Sequence, residues 1–184
     1  MACEGRTEDG IQEVVIFKTH KVFIGDICYA LNDDIYQGIW GDMLNFKDGV
    51  IYTKDGKTGD PCAVVGSTAY GDGGYEGSDG KTYGVDAGVI GVTDIENWRA
   101  IDSGSDDESL KELGTIVEIP NGEAIIHFED CEGNFHIKIT DSSGNILYLV
   151  SIQTASSEED DPIDDWWEDE QEDFWEDEDK DDDE

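Results

Sequence analysis

The sequence predicts a mainly β fold, an antiparallel sheet or sandwich/barrel-like body with one or two short helices, followed by a disordered acidic tail. Three observations predict it. Short runs of β-branched and aromatic residues recur along the chain and are punctuated by Gly, Asn and Asp. The last four of these runs are joined by Asn121-Gly122, Glu132-Gly133 and Ser143-Gly144-Asn145, which are hairpin turn residues and predict a four-strand meander. Past residue 155 the pattern stops and Asp and Glu take over.

Taken in order, residues 1–12 read as a flexible N-terminus, 13–155 as one globular domain and 156–184 as the tail. Glu13-Val14-Val15-Ile16-Phe17 and Val22-Phe23-Ile24 read as strands, and Cys28 to Leu31 as a resumption of the second. Asn32 then caps a helix in which Ile35, Tyr36, Ile39, Trp40 and Met43 recur at helical spacing. Val50-Ile51-Tyr52 and Ala63-Val64-Val65 follow as strands on either side of a turn-rich stretch. From Gly66 to Gly88 eight glycines predict a loop, after which Val89 to Val92 reads as a buried strand. Thr93 or Asp94 caps a short helix carrying Ile95 and Trp98, and Ser103 to Ser109 reads as a polar loop.

The closing strands are predicted near 115–119, 123–129, 134–140 and 146–153. Period-2 alternation puts Ala124, Ile126 and Phe128 on one face of one strand and Phe135, Ile137 and Ile139 on one face of the next. Those faces belong to a core. His127, Glu129, His136 and Lys138 fall on the opposite, wetter face.

Charge bounds the function. The chain of 184 residues holds 47 acidic and 11 basic residues, a net charge of −36. Residues 158–184 contain 19 acids and one Lys, so half of that excess is in the tail and half is in the body. Such a field repels nucleic acid and anionic membranes and steers toward basic partners. Direct nucleic-acid binding and membrane association are therefore not expected, and a basic protein partner is. No leader or apolar span is legible, and Cys3, Cys28, Cys62 and Cys131 lack the density of a secreted scaffold. Reduced thiols in a cytoplasm are the expectation.

Catalytic machinery is not legible. The best nucleophile–base pair, Cys28 with His20, lacks the cations that would lower a thiol pKa. His127 and His136 share a strand face and would need further ligands to hold a metal. Asp72, Glu76, Asp79 and Asp86 are the carboxylates of the glycine-rich region that a calcium site would draw on, although their spacing fits no EF-hand, and a small enzyme or ligand site would use that loop with Asp26, Asp72 and Asp86. Gly25-Asp26-Ile27-Cys28 and Gly59-Asp60-Pro61-Cys62 repeat a Gly-Asp-x-Cys pattern, read as a turn followed by a strand with an inward thiol. No cofactor is predicted.

The tail carries the most specific signal. Ile163, Trp166, Trp167, Phe174 and Trp175 interrupt the acidic run, and solubility alone needs no tryptophan. Acidic and aromatic residues in one disordered segment suit capture of a basic surface with apolar pockets. The partner-binding residues expected are Trp166, Trp167, Phe174 and Trp175 with Asp164, Asp165, Glu168 and Asp173. At about 3.3–3.6 Å per residue the segment reaches its own body, a partner's groove, or both.

Val22 to Leu31, Thr68 to Gly73 (Thr-Ala-Tyr-Gly-Asp-Gly) and Tyr83 to Val92 (Tyr-Gly-Val-Asp-Ala-Gly-Val-Ile-Gly-Val) resemble a group of uncharacterised small proteins of bacteria and their phages. The resemblance spans most of residues 14–153, excludes the tail, and departs at Ile27, where members usually have Pro. It implies a cytoplasmic setting and a mobile-element origin and brings no activity. An acidic interaction protein, in its concrete form a phage-encoded inhibitor imitating nucleic acid, is therefore the functional expectation. The alternatives are a small enzyme or ligand-binding domain using the Gly/Asp-rich loop, and a structural or virion-associated protein.

Overall fold

The structure is a computed structural model that describes residues 11–32, 35–37, 50–53, 60–100, 105–131 and 133–154. It is mainly β and every strand pairing is antiparallel. The first sheet has the order β1-β9-β10-β11, with β1 Ile11–Phe17, β9 Ala124–Cys131, β10 Asn134–Asp141 and β11 Ile146–Gln153. The second has the order β3-β4-β7-β2-β8, with β2 Lys21–Gly25, β3 Val50–Thr53, β4 Pro61–Ser67, β7 Val89–Asp94 and β8 Thr115–Glu118. A separate ribbon pairs β5 Gly73–Glu76 with β6 Thr82–Val85. Among the described residues the sheets do not close into a barrel.

Alternation along β9 and β10 builds the sandwich. Ala124, Ile126 and Phe128 are buried, as are Phe135, Ile137 and Ile139, and the register sets Phe128 opposite Ile137 and Ile126 opposite Ile139. They meet Val22, Ile24, Val64, Ile90, Val92 and Val117 from the second sheet in one core. Phe128 and Phe135 lie 5.6 Å apart between ring centroids with their planes tilted by 34°. Burying side chains of this size stabilises by roughly 1.5–3 kcal/mol each.

The second sheet is covered on both faces, which is why all six residues of Val89–Asp94 are buried. On its far side Ala63, Val65 and Val89 pack with Ile27, Leu31 and Cys62, and Phe23 packs with Ala30, Ile95 and Leu110. Leu110 belongs to α1, Asp107–Leu113, whose cap residue Asp106 accepts from the Glu108 and Ser109 amides at 3.0 and 2.8 Å. The cap and the first-turn acids Asp107 and Glu108 suit the positive end of the helix.

Several sequence expectations change. The last three predicted strands form a hairpin-linked meander, but β8 pairs with β2 in the second sheet, and β1 takes the fourth place beside β9. Ile119-Pro120-Asn121-Gly122 turns the corner between the layers, with Gly122 at φ +70° and its amide bonded to the Ile119 carbonyl at 3.2 Å. The β1–β2 connection crosses beside it, and the Ile119 amide donates to the His20 carbonyl at 2.7 Å. Local turn chemistry signals the turn but not which sheet the next strand joins.

The glycine-rich stretch is not all loop: β5 and β6 lie within it, because Tyr75, Tyr83 and Val85 give the ribbon apolar anchors while Gly71, Gly80 and Gly88 take positive φ at its bends. Cys28–Leu31 does not resume a strand; Ile27–Tyr29 is a 3-10 turn capped by Asp26. Residues 95–97 form a turn rather than a helix, held by Asp94 Oδ1 accepting from the Glu96 and Asn97 amides. The polar loop expected up to Ser109 gives way to α1 from Asp107. Ile35, Tyr36 and Gln37 are helical, with the Asn32 carbonyl accepting from the Ile35 and Tyr36 amides. The rest of that predicted helix, Asp33, Asp34 and Gly38 onward, lies outside the described residues, as do residues 1–10 and the tail from 155.

Candidate functional site

The three stretches that carry the family resemblance meet at one place, and Asp26 joins two of them. β2 ends at Gly25, and the Asp26 side chain behind it is fully buried. Its Oδ1 accepts from the Cys28 amide at 2.9 Å, and its Oδ2 accepts from the Asp86 and Ala87 amides at 2.8 and 2.6 Å. The Gly-Asp-x-Cys turn is thereby clamped to the Val-Asp-Ala-Gly turn. Burial pushes the Asp26 carboxyl above its usual range, opposed by the three amides.

Thr68 ties in the third stretch. Its amide donates to the Gly88 carbonyl at 2.9 Å and its hydroxyl donates to the Gly71 carbonyl at 2.7 Å, which also accepts from the Tyr75 hydroxyl at 2.8 Å. Gly88 packs beside Gly71 at φ +67°, a backbone conformation that favours glycine. Exposed Asp72 and exposed Asp86 flank this junction.

Cys28, Tyr29 and Tyr36 share its field. Burial, then the charges of Asp26 and Asp86, hold the half-buried Cys28 thiol protonated. Tyr29 and Tyr36 are each pushed up to about 12, by burial first and then by the negative charges of Asp26, Asp86 and Asp72. Asp26, Asp72 and Asp86, the three carboxylates that a ligand site in this loop would use, thus act on the same phenols. This arrangement keeps protons on its thiol and phenols and favours a cation. It gives no thiolate, and His20, the base considered for Cys28, is engaged with Glu96, Nδ1 to Oε2 at 3.2 Å.

Asp79 stands in a different network. Its Oδ2 accepts from Tyr83 at 2.9 Å and Tyr148 at 2.5 Å, and its Oδ1 accepts from the Lys81 amide at 3.1 Å. Partial burial raises its pKa, but the Tyr148, Lys81 and Tyr83 hydrogen bonds outweigh that and leave it lowered. Lys81 Nζ donates to Thr115 Oγ1 at 2.9 Å, so the network pins the β5–β6 turn between the two sheets.

His127 and His136 do share the outer face of the first sheet, but the register sets His127 opposite Lys138 and His136 opposite Glu129. The two rings are diagonal neighbours. Burial lowers both pKa values, with Lys138 adding to the effect at His127, and His136 Nδ1 lies 2.7 Å from Ser151 Oγ. Among the described residues no three His, Cys, Asp or Glu side chains are placed to hold a metal ion. The Asp72, Glu76, Asp79 and Asp86 calcium set is divided between the junction and the Asp79 network.

Of the repeated Gly-Asp-x-Cys pattern, the first copy leads into the 3-10 turn and the second into β4 with Cys62 buried. Cys28 and Cys62 form no disulfide, whereas Cys131 is disulfide-bonded, which corrects the expectation of four reduced cysteines. Cys131 is half-buried at the end of β9, at the rim of the sheet rather than in its core. Tyr29, Tyr36 and Thr68 were not picked out from sequence; only the clustering of motif residues around them offered a signal. Trp166, Trp167, Phe174, Trp175, Asp164, Asp165, Glu168 and Asp173 lie outside the described residues.

No protein-family model, curated protein or solved structure matches the chain. Among the described residues no helix is long and apolar enough to cross a membrane.

Proposed function

We propose that this protein is a non-enzymatic, acidic interaction protein whose tail captures a basic surface of a partner protein. The observation that carries this reading is the composition of residues 158–184, where three tryptophans and a phenylalanine are set among 19 acids. Charge steers the encounter, and the indoles supply the desolvated contact that makes it specific. The buried carboxylate of the Asp26 junction is occupied by backbone amides and its thiol is held protonated, which supports binding over catalysis. The resemblance to phage proteins gives the reading its specific form, an imitator of nucleic acid that blocks a host system.

The test separates charge from aromatic contact. Replacing Trp166, Trp167, Phe174 and Trp175 with Ala leaves the net charge unchanged and is expected to abolish retention of the partner. Retention equal to that of the parent would leave the reading without its specific half.

A second reading, a small cationic ligand at the junction, is favoured by the exposed carboxylates of Asp72 and Asp86, which flank the turns that Asp26 and Thr68 tie together. Saturable shifts of the Tyr29 and Tyr36 resonances with a guanidinium or quaternary ammonium probe would support it. Their absence would remove it.

A further inference from the structure

Cys131 is disulfide-bonded yet stands outside the core. Alternation along β9 buries Ala124, Ile126, Phe128 and Asp130 and turns Cys131 to the outer face of the first sheet, with His127 and Glu129. It is the last residue of the strand, half-buried, and its Sγ lies 3.7 Å from Glu129 Oε1. The register sets Glu129 opposite His136 and His136 opposite Ser151, so these side chains share the same end of that face.

The other half of the bond follows by elimination. The chain has four cysteines, and two of them, Cys28 and Cys62, form no disulfide. Cys3 remains. It stands eight residues before Ile11, and Ile11 pairs with Asp130, the neighbour of Cys131. At about 3.3–3.6 Å per residue that length is ample for the chain to turn back to the end of β9. An independent sign comes from His136. Burial lowers its pKa, Glu129 opposes the shift, and the positive charge of the chain's N-terminal amine adds to the lowering. The start of the chain therefore acts on the same end of the face as Cys131.

We propose that Cys3 and Cys131 form a redox-responsive clasp that ties the start of the chain to the first sheet, closed under oxidising conditions and opened by small-molecule thiols. The chemistry is thiol–disulfide exchange. In closing, the Cys3 thiolate attacks a small-molecule disulfide and expels one thiolate. Cys131, as thiolate, then attacks the Cys3 sulfur of the mixed disulfide and expels the second. Two protein thiols are oxidised, one disulfide is reduced to two thiols, and the protons pass to the expelled sulfurs. A reducing thiol such as glutathione runs the same steps backward. Glu129 beside Sγ disfavours the Cys131 thiolate, which makes Cys3 the first to attack. Opening leaves the sheet intact, because β1 is held to β9 by seven residue pairs of its own, from Ile11 to Phe17. The clasp is independent of the capture reading.

Unfolding the full chain, purified without reductant, in the presence of a maleimide tests the bond. Mass spectrometry is expected to find label at two thiols, Cys28 and Cys62, and at all four once the protein has been reduced. A tryptic digest of the unreduced protein should join the peptide ending at Arg6 to the peptide 112–138. In backbone NMR, glutathione and C3S should shift the Glu129, Cys131, His136 and Ser151 amides alike and leave Ile126, Phe135 and Ile137 in place, and C28S without reductant should leave the first group where it is. Four labelled thiols before reduction, or Cys131 joined to Cys28, to Cys62 or to a second copy, would overturn the proposal. Loss of the core signals on reduction would equally overturn it, because the bond would then be a staple of the fold.

Discussion

The Asp26 carboxylate accepts a hydrogen bond from the Asp86 amide at 2.8 Å, joining turns that are 60 residues apart in the chain. With the Cys28 and Ala87 amides, three backbone donors depend on one buried side chain. Asp26→Ala leaves all three without their acceptor and is expected to cost about 3 kcal/mol or more, read as a lower urea midpoint. A midpoint unchanged from the parent would mean that the clamp contributes nothing to stability.

Asp26 and Asp107 are expected to respond to pH in opposite directions. Burial raises the Asp26 pKa above the ordinary 3.8, so its contribution is fully present below that value and is lost as pH rises through the folded value. Cys28, Asp86, Tyr29 and Tyr36 share its surroundings and are all retained in D26N. The hydrogen bond from Lys21, then that from Arg99, lowers the Asp107 pKa; its contribution is present above 3.8 and is lost as pH falls through the lowered value. Urea titrations across pH should therefore show the advantage of the parent over D26N shrinking toward neutral pH, and its advantage over D107N shrinking toward acid pH.

What the sequence makes legible is what repeats locally. Alternation at Ala124, Ile126 and Phe128 and at Phe135, Ile137 and Ile139 fixes which face of each strand is buried, because a one-residue slip would expose all of them. Pairing between distant strands has no such mark. Nothing local directs Ile11–Phe17 to β9, or β8 away from the strands that follow it. The junction is legible only in part for the same reason: Asp26, Asp72 and Asp86 were candidates by residue type, but their common place depends on backbone amides and on Thr68, which any sequence could supply. Asp79 was grouped with them because it is near in sequence, and Tyr83 and Tyr148 hold it elsewhere.

Cysteine chemistry gives a third prediction. Burial and neighbouring carboxylates keep Cys28 protonated, and burial holds Cys62 up to about 11. At neutral pH iodoacetamide should modify both slowly in the folded protein, and Cys28→Ser should leave partner retention as it is. Rapid, selective alkylation of Cys28 would instead mark it as an activated nucleophile.

The most direct test of tail-mediated capture is retention from an extract of the native host, with the intact chain and the form ending at residue 157 immobilised side by side at low and high salt. A partner held by the intact chain, released as salt rises, and missing from the truncated form is the predicted result. Equal retention by the truncated form would contradict it.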